Sequence, residues 1–294
     1  MKIFRSVMRR YRRYRSGGKL FTHSTEYRSD SENGDYAASI QNALSNQNSF
    51  DNFKRSAEYQ AILEHAGYAH GNNFLKILNQ RTDGLLKEGL NTVLILDDVG
   101  NPIKHRYSGI DIPLSPSTLR YLKVTSDLYG LFGKDLGEVA EIGCGYGGQA
   151  FVNDQMLDVQ LSTLFDLPIV NKLIDRYLNT HIFNGAYRTA VINKTQPKNY
   201  DLVISNYAFS ELPIKLQLAY INKVIAKSAK GYLTMNSGLG GPHSDGKLSL
   251  EQLRTYLPSF EIFEDEPGTA HNYIIIWGHK SVFASKWLKS KKIM

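Results

Sequence analysis

The chain has 294 residues, 42% hydrophobic and 21% charged, with a net charge of +7 and one cysteine, Cys144. This length predicts about two domains, or one large α/β domain with an addition, and the composition is enough to bury a core, so the chain need not be disordered. The apolar runs fall far short of the roughly 18 residues of a membrane-spanning helix. A single cysteine excludes a disulfide framework and a cysteine-based zinc site, and predicts a reducing, cytoplasmic setting.

The charge is uneven. Residues 1–20 hold eight basic and no acidic residues, and residues 280–294 hold five and none. The body between them carries 22 basic against 28 acidic residues. It lacks the basic face that phosphate neutralisation needs, so no specific nucleic-acid partner is expected. In the N-terminal tail Phe4, Val7, Met8, Tyr11 and Tyr14 recur at helical spacing among arginines. That pattern suits peripheral contact with an anionic membrane surface, the inner membrane for a bacterial protein. A solvated arm, a non-specific RNA contact and a transit peptide are the competing readings.

Residues 21–52 are polar and rich in Ser, Asn and Asp, and predict a linker. Residues 53–136 predict a helical cap or substrate region. Its apolar stripes include Tyr59, Ile62, Leu63, then Phe74, Leu75, Leu78, with breaks at Gly67, Gly71 and Gly84. Val93 to Leu96 is a β-type run, and Asn101-Pro102 and Pro113 to Pro116 are turn chemistry. Thr118–Phe132 predicts one helix capped by Ser117 or Thr118.

From 137 to 279 short apolar runs alternate with helical segments. Strands are predicted at 139–142, 160–165, 187–192, 202–205 and 232–235, with helices at 149–157, 169–178, 214–229 and 250–257. Such alternation means a parallel sheet covered on both faces. Phe260–Phe263 and Tyr273–Trp277 leave no room for a helix between them, so that last pair is expected antiparallel.

Glu141-Ile-Gly143-Cys-Gly145-Tyr-Gly147-Gly148 sits where a strand feeds a helix. Alone this is a weak dinucleotide fingerprint. Glu141, however, would repel a pyrophosphate and welcome a cation or hydrogen-bond donor. Asp166, at the end of the next strand, can accept both hydroxyls of a ribose. Asn206, which ends the fourth strand, faces the same crevice. A ligand with a ribose, an ammonium and a sulfonium satisfies both acids, and S-adenosylmethionine is that ligand.

These residues carry a resemblance. Residues 137–278 resemble a class I S-adenosylmethionine-dependent methyltransferase. This implies a Rossmann-like α/β sheet of seven strands with an antiparallel last strand. A closer similarity, over roughly residues 100–278, is to a bacterial family of sugar O-methyltransferases found among surface-polysaccharide genes. It rests on Ser115-Pro-Ser-Thr-Leu-Arg120-Tyr, the Glu141 to Gln149 loop, Phe165-Asp-Leu-Pro, Asn206-Tyr-Ala-Phe-Ser-Glu211, Asn236-Ser-Gly and His271-Asn-Tyr-Ile-Ile-Ile-Trp277. The resemblance implies O-methylation of a sugar hydroxyl, on a surface glycan or its precursor.

The expected cofactor contacts are Glu141, Gly143, Gly145, Tyr146, Gly147, Asp166, Leu167 and Asn206. Arg120, Tyr207 and Asp245 are expected on the acceptor side. A general base is sought among His243, Glu211 and His271, with His243 favoured because a neutral imidazole is basic near pH 7. A divalent metal could acidify the hydroxyl, with Asp97, Asp98 and Asp245 as available carboxylates, but no metal motif is present. The alternatives are a non-catalytic scaffold on this fold, a methyltransferase for a non-sugar small molecule, and an NAD-dependent oxidoreductase, which Glu141 disfavours. Oligomeric state is not encoded legibly.

Overall fold

The computed structural model describes residues 34–81, 83–236, 246–266 and 272–279. Both basic tails, and the amphipathic pattern within 1–20, lie outside the described residues.

The linker expected over 21–52 is helical from residue 34. Helix α1 (Gly34–Ser45) buries Tyr36, Ile40 and Ala43 at positions i, i+4 and i+7, the spacing of one helix face. Helix α2 (Gln47–Asp51) and a single 3-10 turn (Phe53–Arg55) follow. The cap continues with α3 (Ala57–Ile62), α4 (Tyr68–Asn79) and α5 (Leu85–Asp97). Gly67 and Gly84 precede α4 and α5, as expected, but Gly71 lies inside α4. The β-type run at Val93 to Leu96 is the last turn of α5. Val93 and Leu96 are buried while Ile95 is exposed, a three-residue period and not a two-residue one. Where only turn chemistry was expected, β1 (His105–Tyr107) and β2 (Ile110–Leu114) form a small antiparallel hairpin. With only two strands, Pro113 interrupts no further ladder.

Helix α6 (Pro116–Phe132) begins earlier than expected. Ser115 caps it, its Oγ accepting from the Thr118 amide at 3.3 Å, and Pro116 opens the first turn. Its first half packs Leu119 and Leu122 under the cap, and its second half packs Val124, Leu128, Leu131 and Phe132 on the sheet.

The α/β part runs β3 (Asp135–Ile142), α7 (Gly148–Met156), β4 (Asp158–Phe165), α8 (Pro168–Leu178), β5 (Ala186–Ala190) and β6 (Tyr200–Asn206). It continues with α9 (Ala208–Glu211), α10 (Ile214–Lys223), β7 (Ser228–Met235), α11 (Leu250–Tyr256), β8 (Glu261–Glu264) and β9 (Tyr273–Trp277). The helix expected over 214–229 stops at Lys223, because residues 228–230 already belong to β7. The sheet order is β5-β4-β3-β6-β7-β9-β8. β3, β4, β5, β6 and β7 run parallel, and β9 is inserted antiparallel to both neighbours. This is the class I methyltransferase topology. Among the described residues no helix is long and apolar enough to cross a membrane.

Candidate functional site

β3 is buried along almost its whole length, as a central parallel strand must be. Alternation sends Ala140 and Ile142 into the apolar cluster on one face, and Val139 into the cluster under α6. Glu141 shares the Val139 face and so ends the strand beneath α6. It is 3% exposed, and among the described residues nothing hydrogen-bonds its carboxylate. Burial, with the nearby negative charge of Asp166, pushes its pKa up to about 8, against the pull of Arg120.

The loop that follows turns through positive φ at Gly143 (74°), Gly145 (58°) and Gly147 (88°). At Gly143 a Cβ would stand 2.0 Å from the Cβ of Ala208, so the start of α9 closes directly on the loop. The Gly143 amide donates to the Phe165 carbonyl at 2.9 Å, which fixes the loop to the tip of β4. Asp166 completes the attachment. Its Oδ2 accepts from the amides of Cys144 (2.8 Å) and Gly145 (3.2 Å), and its Oδ1 from that of Leu167 (2.8 Å). Burial still raises its pKa to about 6, with the three amides pulling the other way. The residue expected to hold a ribose is thus also the clasp of the glycine loop. Cys144 is buried, its thiol pushed up by desolvation, and it fills the loop's inner side.

The ring of Tyr146, one of the expected cofactor contacts, turns into the protein. It is 1% exposed and packs under the cap against Tyr177, Phe53 and Tyr121, with centroids at 4.7, 5.9 and 5.9 Å. Lys54 lies over it, Nζ 4.1 Å from the ring centre, donating to the Leu96 carbonyl at 2.9 Å and to the Tyr177 hydroxyl at 3.2 Å.

At the tip of β6 Ser205 ties two strands together. Its Oγ donates to the Ile142 carbonyl and accepts from the Phe209 amide, both at 3.0 Å. Asn206 is half-buried, and Tyr207 adopts φ 70°, a costly conformation for a tyrosine. The Tyr207 hydroxyl donates to Asp265 at 2.6 Å. The Arg120 guanidinium reaches from α6 to 5.9 Å from the Tyr207 ring. Gly143, Asp166, Leu167, Asn206, Tyr207 and Ala208 are all half-buried and lie at or just past the carboxyl ends of β3, β4 and β6, the side of such a sheet on which ligands bind.

His243, Asp245 and His271 lie outside the described residues. Glu211 is exposed, and its Oε1 accepts from the Asn236 side chain at 2.7 Å. Among the described residues no three His, Cys, Asp or Glu side chains gather as metal ligands. Asp97 instead accepts from the Ser115 amide at 2.6 Å, holding the start of α6. Glu64, Lys54, Ser205 and Asp265 were not legible beforehand. Glu64 follows α3, accepts from the Ser117 hydroxyl at 2.7 Å, and keeps its Oε1 buried without a partner.

No family model and no curated protein sequence matches the chain. Solved structures that resemble it do so loosely. The PH0226 protein of Pyrococcus horikoshii aligns at TM-score 0.42 and 11% identity, over 55% of this chain and 90% of that one. The N-terminal domain of EvdMO1, solved in the presence of S-adenosylhomocysteine and D-fucose, gives 0.41 and 13%, over 59% and 88%. TrmK of M. capricolum, in complex with S-adenosylhomocysteine, gives 0.37 and 14%, over 53% and 66%. The fold assignment rests on the strand order itself.

Proposed function

We propose that this protein is an S-adenosylmethionine-dependent methyltransferase that methylates a sugar hydroxyl, on a bacterial surface glycan or its precursor. The observation that carries the cofactor is Glu141. A buried carboxylate without a partner is expensive and calls for a cationic ligand. It stands at the end of the first strand of a class I methyltransferase sheet, against a loop where only glycine fits. Glu141 would take the ammonium of the cofactor, and Asp166, Leu167 and Asn206 would flank its nucleoside. When bound, the cofactor supplies a methyl group already activated on sulfur.

The chain's own part is to position and to exclude water. The cap and α6 cover the sheet's carboxyl edge. Tyr207, locked by Asp265, shapes the acceptor side. Glu211 orients the entry to segment 237–245, whose His243 is the favoured base. The sugar acceptor is supported by the ordered motifs from Ser115 to Trp277. We place the enzyme in the cytoplasm, with its basic tail against the inner membrane.

Calorimetric titration with S-adenosylhomocysteine tests the reading; saturable binding is expected. No binding, or fluorescence enhancement of added NADH, overturns it.

A further inference from the structure

Two opposite charges meet above the glycine loop without closing on each other. Arg120 lies one turn before Val124 on the same face of α6, and Glu141 lies two residues after Val139 on the same face of β3. Val124 and Val139 pack in one apolar cluster. Arg120 therefore stands over Glu141, and its charge pulls against the raised pKa of that carboxyl, while Arg120 itself feels chiefly Tyr121, Tyr207 and Glu64. Even so, no ion pair within 4.0 Å joins them among the described residues. The guanidinium instead leans toward the strand tips, beside the Tyr207 ring, and its Nε is buried without a hydrogen-bond partner. Glu64 also faces Arg120, but its carboxylate is held by Ser117 and forms no ion pair with it.

The half-buried Arg120 keeps a buried Nε without a partner, and the Glu141 carboxyl beside it accepts no hydrogen bond among the described residues, so each has bonding capacity left for a ligand. A zwitterion satisfies both at once. We infer that Arg120 and Glu141 form a clamp for the amino-acid end of the cofactor, Glu141 on the ammonium and Arg120 on the carboxylate. The inference rests on the proposed cofactor and moves Arg120 from the acceptor side to the cofactor side. A guanidinium suits the task, because its fork matches a carboxylate in two parallel hydrogen bonds. It also makes α6 a binding element: the helix that joins cap to sheet would hold one end of the ligand.

Three probes separate the outcomes: S-adenosylhomocysteine, its decarboxylated analogue, and 5′-methylthioadenosine, which lacks the amino-acid end. Arg120→Met should weaken S-adenosylhomocysteine about ten- to hundredfold, while 5′-methylthioadenosine stays within about twofold. Arg120→Lys should fall between, since it keeps the charge and loses the fork. Equal losses on both ligands would make Arg120 a structural residue, and no loss on either would return it to the acceptor side; both overturn the clamp. Should the variants fail to fold, the wild-type chain decides, because equal affinity for S-adenosylhomocysteine and its decarboxylated analogue also overturns it. A wild-type chain that binds none of the three sinks the functional reading itself.

Discussion

Glu141 is held in a state that costs stability and that, in the proposed function, serves binding. Its folded pKa of about 8 lies above the ordinary 4.5. Stability from the protonated form is therefore complete below pH 4.5 and lost as pH rises toward 8. An ammonium ligand prefers the ionised form, so affinity should move the opposite way. S-adenosylhomocysteine should bind more tightly at pH 8 than at pH 6 and release a proton, which calorimetry in buffers of different ionisation heat will read. Glu141→Gln should raise stability at pH 7 by roughly 1–3 kcal/mol, flatten that pH dependence, and weaken the ligand about ten- to hundredfold. A variant that is less stable yet binds normally would deny Glu141 this role. Asp166 acts differently, because its oxygens already accept three backbone amides. Asp166→Ala strands those amides and should cost about 2–4 kcal/mol in chemical denaturation, with or without ligand.

At the scale of elements, the glycine loop depends on the neighbour that closes on it. Gly143→Ala meets two penalties, a positive φ of 74° and a contact of 2.0 Å with Ala208. The first costs about 1–2 kcal/mol, and the overlap adds at least as much. The double substitution Gly143→Ala with Ala208→Gly should recover the contact share and leave the backbone share, a difference that melting curves resolve. If the second change recovers nothing, the close approach is not what requires glycine. This loop was legible in the sequence because Glu141 and the glycines are contiguous and Asp166 follows at the end of the very next strand. The inner strands β6 and β7 were legible too, since burial on both faces leaves short apolar runs, whereas the edge strand β5, Ala186–Ala190, gave a weaker signal. Helix α1 was not: three buried apolar side chains, Tyr36, Ile40 and Ala43, sit in a stretch otherwise polar enough to read as linker. Val93 to Leu96 misled in the other direction, because four apolar residues fit either period until their neighbours decide. The Ser205 bridge between strand tips and the burial of Tyr146 under the cap are tertiary facts with no local signal.

Among the described residues α6 packs on the N-terminal helices with its first half and on the sheet with its second, and Asp127 is where that joint is charged. Its carboxylate, fully buried, takes Arg81 from the end of α4, Lys123 at 2.8 Å from its own helix, and the Tyr232 hydroxyl of β7 at 2.6 Å. Burial alone would raise its pKa, but the two cations outweigh it and hold the pKa below the ordinary 3.8. The stability it contributes is thus present above pH 3.8 and lost as pH falls through the lower folded value. Asp127→Asn leaves two buried cations short of an acceptor and should cost about 3–5 kcal/mol at pH 7. The difference from wild type should shrink as both are taken toward pH 3. If cap and sheet form one cooperative unit, urea unfolding of the variant will shift its midpoint and keep its slope, whether followed at a cap tryptophan introduced for the purpose or by the far-ultraviolet signal of the whole chain. Separate transitions would mean that Asp127 couples two units of independent stability. The cap could then open while the sheet stays folded, and it would hold the cofactor only as firmly as α6 allows.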